Sequence, residues 1–390
     1  MNKSTLAFVR CTIDNVSTTD VKICDYLTKF YSATYVIGFF NNKNIIITKA
    51  KPIMIYVKPM RVPFLHGFIL SLIAFFKLVK IRPTTVMWSW GCFFPGGLLL
   101  KLLFPYTKIV VDIRSHPISL KSKFLSMLYN AYFVWILRLA DIFVDCFTII
   151  SYSMWIYITK RFRFRTNKKV CIWQSGFDEE LFNYYRETGY KYLTRLRRIL
   201  EIEENTKVLI YYGNISYSRL PIFKLLIQTV NLLKKDYQNI KLLIVGKGDA
   251  VSDVINLINA SDLKDKVHIL PAVSHSMIPL MLILSDIVIT PFPYDYNWLT
   301  QVPLKVIEAL GMEKHILTTT LIELKKLLPS EYLINFDDLS PITLKNKIEA
   351  LLFKNSQRHF PRSINVSDLS WNAIAKKLYK CLEEIKVIKS

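Results

Sequence analysis

Two doubly wound α/β domains, facing one another with the ligand crevice at the carboxyl ends of both sheets, are what this sequence predicts. Three observations lead there. Strand-like runs alternate with helical patterns along most of the chain, its 390 residues suit two hydrophobic cores better than one, and the strand rhythm breaks once, near the middle.

In the first half, β-branched and aromatic runs predict strands at 6–10, 33–40, 52–57, 84–90, 108–114, 146–151 and 169–174. In the second half they fall at 207–213, 241–246, 266–270, 286–292, 315–320 and 332–336. Helical patterns between them imply crossovers, and crossovers imply parallel sheets buried on both faces. Residues 178–206 lose the strand rhythm and turn charged and helical, which puts a boundary near residue 185. The expected organisation is therefore a first domain over 1–185, a second over 186–369, and an amphipathic helix at 370–390 that packs back on the first domain.

The formal charge of +22 calls for a polyanionic partner. Between 61 and 130 nine Lys and Arg (Arg61, Lys77, Lys80, Arg82, Lys101, Lys108, Arg114, Lys121 and Lys123) face one acid, Asp112, and they are interleaved with apolar helix-like stretches. That pattern suits an anionic membrane surface. A second cluster at 160–169 alternates cations with aromatics and reads either as a phosphate contact or as a solvated loop. A nucleic-acid partner is not expected, because no helix-turn-helix, zinc or RNA-recognition signature accompanies the charge.

The chain is 52% hydrophobic with a mean hydropathy of +0.26, yet no run reaches the roughly 18 to 20 uncharged apolar residues of a spanning helix. The nearest, at 64–80, is broken by His66, Gly67 and Lys77 and reads as a buried or interfacial helix. The six cysteines are scattered and form no C-x-x-C, which predicts neither zinc nor disulfides and suggests a reduced, cytoplasmic protein; the basic, apolar first half suggests that it lies peripherally on the inner face of the membrane. The amino terminus reads without a signal-peptide pattern.

The residues that could do chemistry gather in the second half. The stretch at 286–293 reads as a buried strand ending in a turn at Pro293, followed by a loop and an apolar helix with Thr300 as cap and Pro303 in its first turn. A helix start after a strand offers unpaired amides and partial positive charge, which is a phosphate site. Lys305 adds a full charge there, and Glu308, one turn on, could accept hydrogen bonds from two ribose hydroxyls; an ordinary i,i+3 ion pair is the competing reading. Gly213, at the end of one strand, and Gly246 with Gly248, at the end of another, leave room for a ligand beside the backbone. Each glycine turn alone is a weak motif.

Together these pieces resemble glycosyltransferase family 4, the retaining sugar-nucleotide enzymes of the two-domain GT-B fold. The matching stretches run in the family's order: Gly213 with Arg219 six residues on, IVGKG at 244–248, VHILPAV at 267–273, DIVITPFP at 286–293 and PLKVIEALG at 303–311. WQSGFDEELF at 173–182, TTDVKICDYLTKFYSATYVIGFF at 18–40 and VVDIRSHP at 110–117 resemble pieces of the family's first half. The resemblance implies that Glu308 holds the donor's ribose, that Arg219 contacts its diphosphate, and that amides near Val302 to Leu304 complete a phosphate cradle. The implied donor-binding set is Gly213, Asn214, Arg219, Gly246, Pro293, Thr300, Val302, Pro303, Leu304, Lys305 and Glu308. His116, Arg219, Lys305 and Glu308 are the implied catalytic set, and Arg114 and His116 face the acceptor side.

Three departures stand out. Thr300 occupies the place of the family's first motif acid, Asn214 that of an arginine, and Ser17, Thr18 and Thr19 replace a glycine-rich loop. The reaction implied is transfer of a sugar from a nucleotide diphosphate sugar to a hydroxyl of a lipid-linked or glycan acceptor, with retention. No cofactor and no metal is expected, since the sequence contains no Asp-x-Asp. The alternative is a catalytically inactive nucleotide-sugar-binding scaffold of the same fold.

Overall fold

The computed structural model describes residues 4–10, 18–39, 51–55, 63–117, 122–354 and 364–385. Arg61 and Lys121 of the basic set, and Ser17, lie outside them. The chain divides into two compact units, residues 1–175 with 371–390 and residues 176–370.

The first unit contains β1 (Thr5–Arg10), β2 (Ala33–Phe39), β3 (Lys51–Ile55), β4 (Thr85–Ser89), β5 (Lys108–Ile113), β6 (Cys146–Ile149) and β7 (Lys169–Ile172). They form one parallel sheet in the order β3-β2-β1-β4-β5-β6-β7. The second unit contains β8 (Lys207–Asn214), β9 (Ile240–Lys247), β10 (Val267–Leu270), β11 (Ile287–Thr290), β12 (His315–Thr319) and β13 (Leu333–Ile334), parallel in the order β10-β9-β8-β11-β12-β13. Each sheet is wound outward and then back, so the order reverses between β1 and β4 and between β8 and β11. A doubly wound sheet opens its crevice at that reversal, beyond the carboxyl ends of the strands. Each of the strand stretches expected from sequence overlaps one of these strands.

Period-two alternation sorts the first sheet onto two cores. Ala7, Val9, Val86, Trp88, Ile109 and Val111 face helices Pro63–Ile81, Gly96–Leu103 and Lys123–Phe143 through Leu70, Leu100 and Phe133. Leu6, Phe8, Met87 and Val110 face the other way, onto Val21 and Ile23 and onto Trp371, Ile374 and Leu378 of helix Trp371–Glu383.

The division of the chain differs from the expected one. Residue 185 lies within helix Glu179–Thr188, and the boundary falls between Ser175 and Gly176. The reason is packing: Phe177 and Phe182 belong to the core of the second sheet, so the charged segment from 178 onward is anchored there by its few apolar residues.

The cysteines also depart from expectation. Cys171 in β7 and Cys381 in the terminal helix form a disulfide across a sequence separation of 210 residues, with Cα atoms 6.1 Å apart. Cys146 lies beside it, its sulfur 3.6 Å from that of Cys171. Spacing along the chain carries no signal for such a pair, because it depends on which strand the last helix covers.

In the 160–169 cluster, Phe164 is buried and packs edge-on against Phe147 and Trp155. Half-buried Phe162 packs against Phe133 and Tyr157, while Lys160, Arg161, Arg163, Arg165 and Lys169 are exposed. Among the described residues no helix is long and apolar enough to cross a membrane.

Candidate functional site

The second sheet places Tyr211, Tyr212, Gly213 and Asn214 at the carboxyl end of β8, beside the strand-order reversal. Gly213 has φ of 129°, a region that a side chain rarely adopts, and a Cβ there would stand 2.5 Å from Lys305 Nζ. Gly246, its neighbour on β9, has no room either, since a Cβ would meet the carbonyl oxygen of Gly213 at 1.9 Å. The tips of β8 and β9 therefore pack backbone to backbone. Around them lies a cavity of about 340 Å³, lined by Tyr212, Gly213, Asn214, Gly246, Val273 and Ile278, among others.

Lys305 enters from helix Leu304–Gly311. Its stem is half-buried, but Nζ itself is buried and makes no hydrogen bond. The ammonium sits over the Tyr211 ring, 4.3 Å from its centroid, with the Tyr212 ring 5.9 Å away. Burial, with the positive Arg219 nearby, pushes its pKa down to about 7 against the pull of Glu308. A buried ammonium that rests on ring faces and makes no hydrogen bond is a cation short of an anion.

Arg219 stands at the start of helix Leu220–Leu233 and donates to the Tyr211 hydroxyl at 2.9 Å, its guanidinium 5.4 Å from the Trp298 ring. Glu308 is 2% exposed. Its Oε2 is 2.9 Å from the Tyr212 hydroxyl, which also lies 3.0 Å from the Lys305 carbonyl, and its Oε1 is 2.6 Å from His275 Nε2. Burial and the neighbouring carboxylate hold the Tyr212 pKa well above the ordinary phenol value. The competing reading, a surface Lys305–Glu308 ion pair, does not hold: the carboxylate bonds Tyr212 and His275 instead.

The helix start is built differently from the expectation. Pro303, not Thr300, is the cap, and no side chain bonds the first turn. Thr300 is 1% exposed and its hydroxyl donates to the Tyr296 carbonyl at 2.8 Å, because helix Tyr296–Leu299 intervenes. The Val306 amide already bonds the Pro303 carbonyl at 2.9 Å, so the amides of Leu304 and Lys305 are the two the helix does not use. Val302 is buried in the core and could contribute only backbone. Pro293 lies half-buried in the loop after β11, three residues beyond the strand's end at Thr290.

Arg114 and His116 belong to the first unit, after β5. Arg114 donates to the Trp173 carbonyl at 2.7 Å and lies 3.8 Å from that indole's centroid, and burial lowers its pKa to about 10. His116 is 8% exposed, with Nδ1 3.0 Å from the Pro117 carbonyl and its ring 4.7 Å from that of Tyr157. Beside them Asp112 receives Arg10, Thr148 and Trp173, and Arg10 also pairs with Asp20 at 2.9 Å. Arg10 ends β1, and Thr18 and Thr19, two of the three residues read as replacing a glycine-rich loop, open helix Thr18–Leu27.

Gly213, Gly246, Lys305 and Glu308 therefore converge, and Arg219 joins them through Tyr211. Tyr211, Tyr212, Trp298 and His275 escaped the sequence reading. The first two were legible as aromatics preceding a strand-end glycine; His275 had no signal at all. A larger cavity, about 500 Å³ between Thr320, Lys325, Asn335 and Lys347, holds none of these groups. Among the described residues no group of three or more His, Cys, Asp or Glu could hold a metal ion.

Residues 194–359 match the family described as glycosyl transferases group 1. No curated protein matches the chain in sequence. Among solved structures, sucrose-phosphate synthase from Thermosynechococcus elongatus superposes with a TM-score of 0.70 at 14% identity, over 98% of this chain and 99% of that one. The Anabaena protein HepE in complex with UDP and glucose gives 0.71 at 13% identity, over 97% and 99%. WaaG, a glycosyltransferase involved in lipopolysaccharide biosynthesis, gives 0.61 at 11% identity, over 98% and 96%. At these identities the likeness is one of fold, and that fold is GT-B.

Proposed function

From the match of residues 194–359 to the family described as glycosyl transferases group 1, we propose that this chain is a glycosyltransferase that moves a sugar from a nucleotide diphosphate sugar to a hydroxyl acceptor with retention. The observation that carries this reading is Lys305, a buried ammonium without a hydrogen-bond partner beside a glycine that holds the backbone out of its way. A diphosphate is the anion that fits. Negative charge grows on it as the sugar leaves, and Lys305, Arg219 and the amides of Leu304 and Lys305 would meet that charge already oriented. Arg219 and Lys305 come from different elements, so the second cation compensates for Asn214, where the family pattern carries an arginine.

Retention is assigned to front-face attack assisted by the leaving phosphate, with no protein nucleophile. UDP is the first nucleotide to test, since the Anabaena relative was solved with UDP and glucose. A thermal-shift screen of nucleotide diphosphate sugars followed by a transfer assay is the direct test. Selective stabilisation by one donor, lost in Lys305→Met, supports the reading; no stabilisation by any donor sinks it.

Thr300 favours a second reading, a binding scaffold without turnover. It is 1% exposed and carries no charge, so it offers the transferred sugar no substitute for the motif acid. Donor binding with neither transfer nor hydrolysis would select the scaffold.

The acceptor we propose is lipid-linked or a glycan precursor, met at the cytoplasmic membrane face. Helices Pro63–Ile81, Gly96–Leu103 and Lys123–Phe143 expose Phe76, Leu102, Leu103, Phe124, Met127 and Ile142, the last at 69%. Lys77, Lys80, Lys123 and Arg138 are exposed on the same helices, while the acids among the described residues from 63 to 143 are buried Asp112 and half-buried Asp141. Exposed apolar groups and cations on the same helices suit an anionic lipid surface. Flotation with phosphatidylglycerol vesicles at low salt tests it, and a protein that stays at the bottom of the gradient ends the proposal.

A further inference from the structure

Glu308 has a neighbour that the donor reading leaves unused. His275 opens the turn His275–Met277 after β10, and its Nε2 faces Glu308 Oε1 at 2.6 Å while the Tyr212 hydroxyl faces Oε2. The carboxylate is buried, whereas the His275 side chain is 28% exposed. A ligand reaches the imidazole more easily than the acid behind it.

The arrangement also sets the ring. A carboxylate with each oxygen beside a different protein group holds an imidazole in one orientation, with Nε2–H donating to Oε1 and Nδ1 left as an acceptor on the opposite edge. His275 itself belongs to the segment that walls the 340 Å³ cavity: Ala272 and Val273 precede it, Ile278 follows it, and all three line the cavity with Tyr212. Oriented polar groups of this kind are what a site needs to tell one hydroxyl from none.

We propose that His275, oriented by Glu308 and Tyr212, recognises a pentose hydroxyl of the bound nucleotide, so that the His275–Glu308 pair, and not Glu308 alone, distinguishes ribose from deoxyribose. This rests on the reading of the cavity as a nucleotide site. Glu308 has two lone-pair positions already engaged by protein groups, so it either shares what remains or acts through the imidazole. The Tyr212 hydroxyl, bonded to Oε2, acts as a positioning group for the acid.

The experiment is a ligand-by-mutation cycle. Calorimetry with the wild-type chain first identifies which of UDP, GDP and ADP binds best. The ribonucleotide and its 2′-deoxy and 3′-deoxy forms are then titrated into wild type, His275→Ala, His275→Asn and Glu308→Gln, with thermal melts confirming that each variant is folded. Wild type should prefer the ribonucleotide over one deoxy form by about tenfold or more, the scale of one hydrogen bond in a partly buried site. His275→Ala should bring that ratio close to one by weakening the ribonucleotide while leaving the deoxy form unchanged. A merely structural histidine would weaken both equally and keep the ratio; that result overturns the proposal. If His275→Ala does not fold, the same ratio is read in His275→Asn, which stays polar. Failure of all three nucleotides to bind wild type is a separate outcome, and it removes the nucleotide-site reading and with it this one.

Discussion

Above neutrality, affinity for the nucleoside diphosphate should fall with pH, and Lys305 is the reason. Its pKa of about 7 means that near neutrality roughly half of the free protein carries the charge. At pH 9 that fraction is about one in a hundred, so binding that requires the ammonium weakens about fiftyfold between the two, ~2.3 kcal/mol. The ligand does not confuse the measurement, since the second ionisation of a terminal phosphate lies at about pH 6 and is complete throughout this range. Calorimetric titrations with UDP from pH 7 to 9, in two buffers of different ionisation enthalpy, would read both the affinity loss and the proton taken up on binding. Lys305→Met should bind weakly and with no slope. Flat wild-type affinity across that range, or an equal slope in Lys305→Met, would refute the assignment of the diphosphate to this cation.

The same residue makes a stability prediction of opposite sense. The folded pKa lies below the unfolded value of 10.5, so the unfolded chain binds more protons between about pH 7 and 10.5 and Lys305 makes stability rise with pH there. Below that window the buried charge costs on the order of a few kcal/mol. Lys305→Met should therefore melt higher than wild type at pH 7 and lose that advantage by pH 10.

Two further outcomes follow from the packing. Gly246→Ala forces a methyl group against the Gly213 carbonyl, which should cost about 1–3 kcal/mol and open the cavity wall; denaturant melts and UDP titration read the two effects. The Cys171–Cys381 disulfide ties the terminal helix to β7. Reduction should destabilise the first unit by about 2–5 kcal/mol, and Cys381→Ser should melt identically with and without reductant.

Much of the fold was legible because a parallel sheet covered on both faces writes itself as short apolar runs. The stretch at 207–213 announces β8, and 286–292 announces β11, without any knowledge of the rest of the chain. The glycines at 213 and 246 were legible for the same reason, since each is a local backbone demand that one residue type meets. Thr300 misled because a short helix, Tyr296–Leu299, took its hydroxyl before the cap position was reached.

What the sequence by itself determined, then, is the set of elements and the local geometry of their ends. Pairings across the chain were decided only in three dimensions. Glu308 meets Tyr212 from 96 residues away because strand order puts β8 beside β11, and it meets His275 from 33 residues away although β9 and β8 separate β10 from β11 in the sheet. Cys171 meets Cys381 because the last helix covers the first sheet. The depressed pKa of Lys305 arises in the same way, from rings on β8 that surround an ammonium on a helix more than ninety residues later. Periodicity records which face of an element is buried; it holds no record of what lies opposite that face, and the chemistry of this site is made of what lies opposite.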